Sequence, residues 1–275
     1  MNPAEIRAVA SDLDGTLLRR DMSVSAFTRS ELHRVVATGR MLAFVTGRPP
    51  RWMPPIIAAT GHDGIAVCAN GAVVLDVRSE QIVAHHVLPP AELGEVCAVI
   101  RTEMGSDARF GVELAPVGPM TGSRLVHESG FSALLPAPQD VLPLGELVTS
   151  ADAVKLLARG TGPVSQTEEI AARVRAATGD VVTVSHSSRT TQLLEIAPAG
   201  ITKASTLAEV VAVAGFGAAD VVAFGDMPND IPMLQWAGWG IAVADAHAAV
   251  IAAAQEVVPD ADHDGPAGWL AAHLQ

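Results

Sequence analysis

The chain has 275 residues, is 49% hydrophobic and carries a formal net charge of −12. That is enough apolar material for one large or two smaller domains, and so acidic a balance makes nucleic acid a poor partner. No stretch reaches the roughly 18 uncharged apolar residues of a membrane helix: the longest candidate, residues 208–224, is cut by Glu209 and Asp220.

The N-terminal segment lacks the basic and apolar regions of a signal peptide. The two cysteines, Cys68 and Cys97, sit in apolar contexts. They read as free core thiols and fit a reducing, cytoplasmic setting.

In chain order, residues 7–13 read as a strand, and 23–39 as a helix with Ser23 or Ser25 as N-cap and Gly39 as its stop. Residues 41–47 form a nearly continuous apolar run, the pattern of a strand buried on both faces. Residues 50–61 predict a broken helix, and 64–76 a strand, an Asn-Gly turn and a second strand. The middle changes character. A helix follows Pro89-Pro90, and residues 107–122 and 134–145 are rich in proline and glycine. Strands at 151–160, 180–188 and 190–200 flank an amphipathic helix at 163–179. From about residue 200 the alternation of helix and strand returns. Strands alternating with helices argue for a parallel sheet. The expected architecture is an α/β, Rossmann-like core with helices on both faces, formed by residues 1–82 and 191–275. An α+β module, residues 83–190, is inserted into it.

Two local patterns mislead. Residues 260–265, DADHDG, imitate an EF-hand loop, but Ala271 stands where its bidentate glutamate belongs, and a solvated turn is expected. Residues 215–220, GFGAAD, imitate a dinucleotide fingerprint but follow a helix and precede a strand, the reverse of what that motif needs.

Four stretches fall where elements of the core end. SDLDGTLL places Asp12 and Asp14 two apart, so both start on one side of the strand's carboxyl end. Gly15 lets the chain turn at once. FVTGRP supplies Thr46, Gly47 and Arg48. ITKAS supplies Lys203 at a helix start, and FGDMPNDIPML supplies Asp226, Asn229 and Asp230. The chain uses 16 arginines but only two lysines, Lys155 and Lys203. Lysine is a compact point charge where arginine is a broad fork, so a retained lysine invites a role. Converging carboxylates need a counter-ion, and hard oxygens select Mg²⁺. A carboxylate can attack phosphorus, while a hydroxyl, backbone N–H groups and a lysine hold the transferring oxygens. The set suits phosphoryl transfer.

DLDGTL, VTGRP, the lysine before the last third and GDMPND together resemble the four motifs of the haloacid dehalogenase superfamily. The NGA at 70–72, the inserted module and the runs LLEIAPAGITKASTL and DADHDGPAGWL resemble its Cof-like phosphatases with a large α/β cap, type IIB. The resemblance implies Asp12 as nucleophile and Asp14 as the acid that protonates the leaving oxygen and later activates water. Thr46, Gly47, Asn229 and Lys203 would hold the phosphate. Asp12, the Asp14 carbonyl and Asp226 would hold Mg²⁺, with Asp230 acting behind them. An acid at Asp14 favours an alkoxide over a halide leaving group, since only the alkoxide needs a proton.

The implied activity is Mg²⁺-dependent hydrolysis of a small phosphorylated metabolite. A sugar phosphomutase and a non-enzymatic phospho-aspartate switch are the alternatives. With no tyrosine and only ten Phe and Trp residues to stack on a flat ring, sugar phosphates are favoured as substrates. The insertion is expected to be a mobile cap that closes over the core and reads the substrate. Its candidates are Arg109, Arg124, His127, His186 and Arg189, beside Arg48 and Asn70 of the core. The oligomeric state is not readable from the sequence.

Overall fold

The structure, a computed structural model, describes residues 5–116, 118–131, 140–149 and 152–274. In chain order the elements are β1 (Ala8–Ser11), α1 (Ala26–Ala37), β2 (Met41–Val45), α2 (Pro54–Thr60), β3 (Ile65–Cys68), β4 (Val73–Asp76) and β5 (Gln81–His85). Then come α3 (Pro90–Met104), β6 (Arg109–Leu114), β7 (Leu125–His127), α4 (Leu144–Leu147), β8 (Ala153–Arg159), α5 (Thr167–Thr178), β9 (Val182–Ser185) and β10 (Leu193–Pro198). The last are α6 (Lys203–Val213), β11 (Val221–Gly225), α7 (Ile231–Trp236), β12 (Trp239–Val243), α8 (Ala248–Ala253), β13 (Glu256–Val258) and α9 (Gly265–His273). Local chemistry sets the boundaries. Ser25 caps α1 by accepting from the Thr28 N–H at 2.9 Å, and α2 ends at Gly61 in the left-handed conformation.

Two compact units result, Met1–Val83 with Thr202–Gln275, and Ala84–Ile201. The first is built on an eight-stranded sheet of order β13-β12-β11-β1-β2-β3-β4-β5. Its strands run parallel from β13 through β3, and β3 turns back into β4 as an antiparallel hairpin. Alternate residues serve opposite faces. Ala8, Ala10, Ala43, Val45, Val221 and Ala223 pack with Leu207 and Val211 of α6, Met233 and Leu234 of α7 and Val250 of α8. On the other side Phe224 meets the Trp269 ring of α9 edge-on at 5.8 Å. The β1–β2–β3 and β11–β12 strands are almost wholly buried, which explains their unbroken apolar runs.

The second unit has a five-stranded sheet of order β7-β6-β8-β10-β9, antiparallel throughout. Leu93, Val96, Cys97 and Ile100 of α3 and Ile170, Ala171 and Val174 of α5 pack on Phe110, Val112, Leu156, Ala158, Leu194 and Ile196. Both cysteines are free and buried, and burial pushes each thiol up to about 12.

Three readings differ from the sequence. The chain's return to the first unit was expected at residue 191, yet β10 pairs with β8 and β9, so residues up to Ile201 belong to the second unit. An isolated strand pattern says nothing about which sheet adopts it. The Pro/Gly-rich run 107–122 contains β6, where Phe110 and Val112 face the core between Arg109, Gly111 and Glu113. Residues 134–139 of the other such run lie outside the described residues. The acidic turn near residue 260 is tied down rather than simply solvated: Asp264 accepts from Arg19 and from Thr28 Oγ1, each at 3.0 Å. Among the described residues no helix is long and apolar enough to cross a membrane.

His62 packs its ring 4.1 Å from that of Phe44 and shares a hydrogen bond of 3.0 Å with the Ile65 carbonyl. Its other ring nitrogen is buried without a partner. Burial pulls the imidazole pKa down, against the opposing pull of the Ile65 carbonyl and Asp63. The unfolded chain therefore takes up a proton near pH 6.5 that the native ring refuses, and stability falls as pH drops below about 6.5. In His62→Phe this component disappears. Urea titrations at pH 8 and pH 5.5 should show a smaller acid-induced loss in the variant than in the wild type.

Candidate active site

The order of the first sheet reverses at β1, whose neighbours are β2 and β11. In a parallel α/β sheet such a reversal opens a crevice beyond the carboxyl ends of the strands. Asp12 follows β1, Thr46 follows β2 and Asp226 follows β11. The Asp12 N–H still donates to the Phe224 carbonyl at 3.0 Å, and the Thr46 N–H to that of Val67 at 2.8 Å, so the loops are anchored where they leave the sheet. Lys203 opens α6 behind a capping box: Thr202 Oγ1 accepts from the Ser205 N–H at 3.0 Å, and Ser205 Oγ accepts from the Thr202 N–H at 2.9 Å.

The Lys203 ammonium is 2% exposed and donates to Asp12 Oδ1 and to Asp230 Oδ1, both at 2.6 Å. The second oxygen of Asp230 accepts from the N–H groups of Asp226 and Met227, at 3.1 and 3.0 Å. Asp226 accepts from Thr16 Oγ1 at 3.2 Å. Burial by itself pulls the ammonium pKa down, but Asp12 and Asp230 more than reverse this, and Lys203 is held charged well beyond the ordinary lysine range. Asp12 is pushed up by its burial and by the neighbouring Asp230 and Asp226, against the pull of Lys203.

Asp12, Asp226 and Asp230 each offer an oxygen within 4.8 Å of the others. Three carboxylates against one ammonium leave two negative charges in a buried place. A hard divalent cation matches that charge and donor set. The chain also leaves the cluster room. Gly15 has φ +84°, and a β-carbon there would lie 2.6 Å from Asp226 Oδ2, so only glycine turns the chain past this carboxylate.

The pair in DLDG does not share one environment. β1 ends at Ser11, and Asp12 and Asp14 flank the fully buried Leu13. Asp12 is buried, but the Asp14 side chain is 48% exposed and binds Arg48 through both oxygens. Arg48 Nε donates to Oδ2 at 2.7 Å and Nη2 to Oδ1 at 2.6 Å. Arg48, expected to face a substrate anion or the insertion, is thus engaged within the loop cluster.

Thr46 is fully buried, its Oγ1 accepting from the Arg48 N–H at 3.1 Å, and Gly47 beside it is half-buried. Asn229 is buried and donates from Nδ2 to Asn70 Oδ1 at 3.1 Å, which brings the NGA turn to this cluster.

The five candidates of the second unit do not converge. His127 lies on β7 and His186 just beyond β9, at opposite edges of the sheet. His127 Nδ1 bonds the Glu128 carbonyl at 2.9 Å, and His186 Nε2 meets Glu168 at 2.7 Å. Arg124 pairs with Asp140 at 2.7 Å, Arg109 donates to the Ala108 carbonyl at 3.1 Å, and Arg189 is exposed.

Sequence reasoning missed four partners, Thr16, Glu113, Ser187 and Glu195. Thr16 supports Asp226 as described above. Lys155 is ion-paired with Glu195 in the second unit, both buried, and Ser187 Oγ donates to Glu195 at 2.6 Å. Glu113, also buried, stands opposite Lys155 on β6. The scarcity of lysine had singled out Lys155, but nothing local in the sequence named its partners.

Replacing Lys203 by methionine leaves buried carboxylates without their cation. Breaking a buried pair in this way costs about 3–5 kcal/mol. Denaturant unfolding of Lys203→Met should show a loss of that size at pH 8, shrinking toward pH 5 as the freed carboxylates protonate.

The family model for haloacid dehalogenase-like hydrolases matches residues 9–270. HMP-PP phosphatase of Yersinia enterocolitica is 35% identical over 106 residues, 38% of this chain and 37% of that protein. The Yersinia pestis protein of the same name is 35% identical over 102 residues, 37% of this chain and 36% of that one. These matches thus span little more than a third of the relatives' own lengths. In fold, the chain is similar to SMU.1108c from Streptococcus mutans, with a TM-score of 0.82, 19% identity and coverage of 98% and 99% of the two chains. It is also similar to the HAD subclass IIB sugar phosphatase BT4131, with a TM-score of 0.78, 19% identity and coverage of 97% and 98%. From the ordered motifs, the buried cluster that they build and a family match over almost its whole length, the chain belongs to the haloacid dehalogenase-like hydrolases.

Proposed function

We propose that this protein is a phosphomonoesterase that hydrolyses a small phosphorylated metabolite through an aspartyl-phosphate on Asp12. The observation that carries the reading is the Lys203 ammonium, buried and shared between Asp12 and Asp230 at 2.6 Å. A carboxylate attacking a phosphoryl group approaches an anion with an anion, and a fixed cation beside both lowers that barrier. Asp12, Asp226 and the Asp14 carbonyl would hold Mg²⁺, with Asp230 behind them; bound there, it supplies charge neutralisation to the phosphoryl oxygens.

In the first step an Asp12 oxygen forms a bond to phosphorus as the ester P–O bond breaks, and Asp14 as the acid gives its proton to the departing oxygen. In the second, the Asp14 carboxylate takes a proton from water, whose oxygen attacks phosphorus. Orthophosphate leaves and the Asp12 carboxylate is restored. Arg48 donates to both Asp14 oxygens, leaving lone pairs on each for the proton, so Arg48 is a positioning residue that orients the acid.

Thr46, Gly47, Asn229 and Lys203 would bind the phosphoryl oxygens. These groups grip only what every phosphomonoester shares. Selectivity would fall to the second unit, in the role of the family's inserted cap, through the five candidates named from sequence. Small hydroxylated substrates such as sugar phosphates suit hydrogen-bonding groups of this kind, and the Yersinia relatives named HMP-PP phosphatase add a second substrate type to the panel.

Phosphate release from p-nitrophenyl phosphate, sugar phosphates and HMP-PP, with Mg²⁺ and after chelation, tests the proposal. Steady turnover lost on chelation is expected; a mutase would return an isomer instead, and a phospho-aspartate switch would stop near one equivalent. Asp12→Asn should lower kcat by more than about 10³-fold, since an amide does not attack phosphorus. Turnover near the wild-type rate in that variant rules out the covalent route. Mg²⁺ should raise the wild-type Tm, and Asp226→Asn should abolish that shift.

A further inference from the structure

The turn between β3 and β4 is strained at consecutive residues. Ala69, Asn70 and Gly71 all have positive φ, at +51°, +59° and +105°. Glycine adopts this region freely and asparagine tolerates it, but for alanine it costs about 1–2 kcal/mol. Three contacts hold the turn in place. The Ala69 N–H donates to the Arg48 carbonyl at 2.9 Å, and the Asn70 N–H to the Thr46 carbonyl at 3.0 Å. Thr206 Oγ1 donates to the Gly71 carbonyl at 2.8 Å. Gly71 also passes Thr202 so closely that a β-carbon would lie 2.3 Å from its carbonyl oxygen. The turn is thus clamped between the Thr46–Arg48 loop and the start of the Lys203 helix.

What the strain holds in place is the Asn70 side chain, which is 4% exposed. Its Oδ1 accepts from Asn229 Nδ2, yet Asn70 Nδ2 and Asn229 Oδ1 are buried without any partner. Exchanging the oxygen and nitrogen of both carboxamides swaps their roles and still leaves one amide donor unused. A buried polar group left unpaired costs about 1–3 kcal/mol. A purely structural pair gains nothing from a strained backbone and an orphaned donor together. Strain of this kind persists where the surroundings over-determine it, commonly at sites that meet a ligand.

We propose that Asn70 is a phosphoryl-binding residue: its carboxamide, oriented by Asn229, donates to a non-bridging oxygen of the substrate's phosphoryl group. This rests on the phosphatase reading above. Asn70→Gly deletes the donor and relieves the strained side chain, because glycine accepts the left-handed backbone. Its Tm should equal or exceed that of the wild type. The Kd of inorganic phosphate by calorimetry in Mg²⁺ should rise about tenfold or more, the size expected for one lost charge-assisted hydrogen bond. The kcat/KM for p-nitrophenyl phosphate should fall by about 100-fold. Asn70→Asp keeps the shape and replaces the donor by an anion, so it should bind phosphate more weakly still; it also decides the matter if the glycine variant does not fold. Phosphate affinity within about twofold of wild type in either folded variant overturns the assignment and makes the turn structural. An active wild type with unaltered variants removes only Asn70's role. A wild type that releases no phosphate from the panel removes the functional reading itself, and one that also fails to bind phosphate removes both.

Discussion

An ammonium group buried between two carboxylates governs the first unit. Lys203 has lost its water and recovered its stabilisation from Asp12 and Asp230 at 2.6 Å each. Buried charges survive only when their partners are placed without slack. That demand explains the neighbouring construction. The capping box fixes where α6 begins, and the Asp12 N–H is still tied to the sheet through Phe224. Asp230 uses its remaining oxygen on two backbone N–H groups, so that it cannot swing away.

The same constraint separates the two aspartates of DLDG. The buried one is held by a lysine, which fits as a point charge. The exposed one is held by an arginine, whose planar fork matches both carboxylate oxygens. Two acids two residues apart therefore sit in different electrostatic surroundings, one buried beside an ammonium and one exposed against a guanidinium. The lysine–arginine imbalance of the chain becomes intelligible in part: both lysines are buried and paired with carboxylates, while arginine serves the exposed pairs.

Much of this was legible in the residues. Apolar runs marked the central strands, Ser23 or Ser25 marked the start of α1, with Ser25 the cap, and four short motifs named the cluster, because these signals are local. Partnerships formed across the fold were not. Arg48 reaches Asp14 from 34 positions away and Thr16 reaches Asp226 from 210, and no local pattern records such meetings. The strand β6 was hidden by the prolines and glycines around it. β10 was visible as a strand, but its sheet was not, since pairing partners are chosen by tertiary contacts. In the second unit, histidines and arginines drew attention by type, whereas the burial of Glu113, Lys155 and Glu195 depends on strands that the sequence does not align.

The strand order carries a consequence for how the chain acquires its structure. β1 lies between β2, made soon after it, and β11, made more than two hundred residues later, while Asp12 and Lys203 are 191 positions apart. The second unit is one continuous segment with its own core. On a ribosome it is complete before β11 emerges, so it can fold while the first unit is still half a sheet with an open edge at β1. Closing so long a loop is slow. Asp12 must wait through that interval without its lysine, and carboxylate and ammonium meet only when the last third of the chain has joined the sheet.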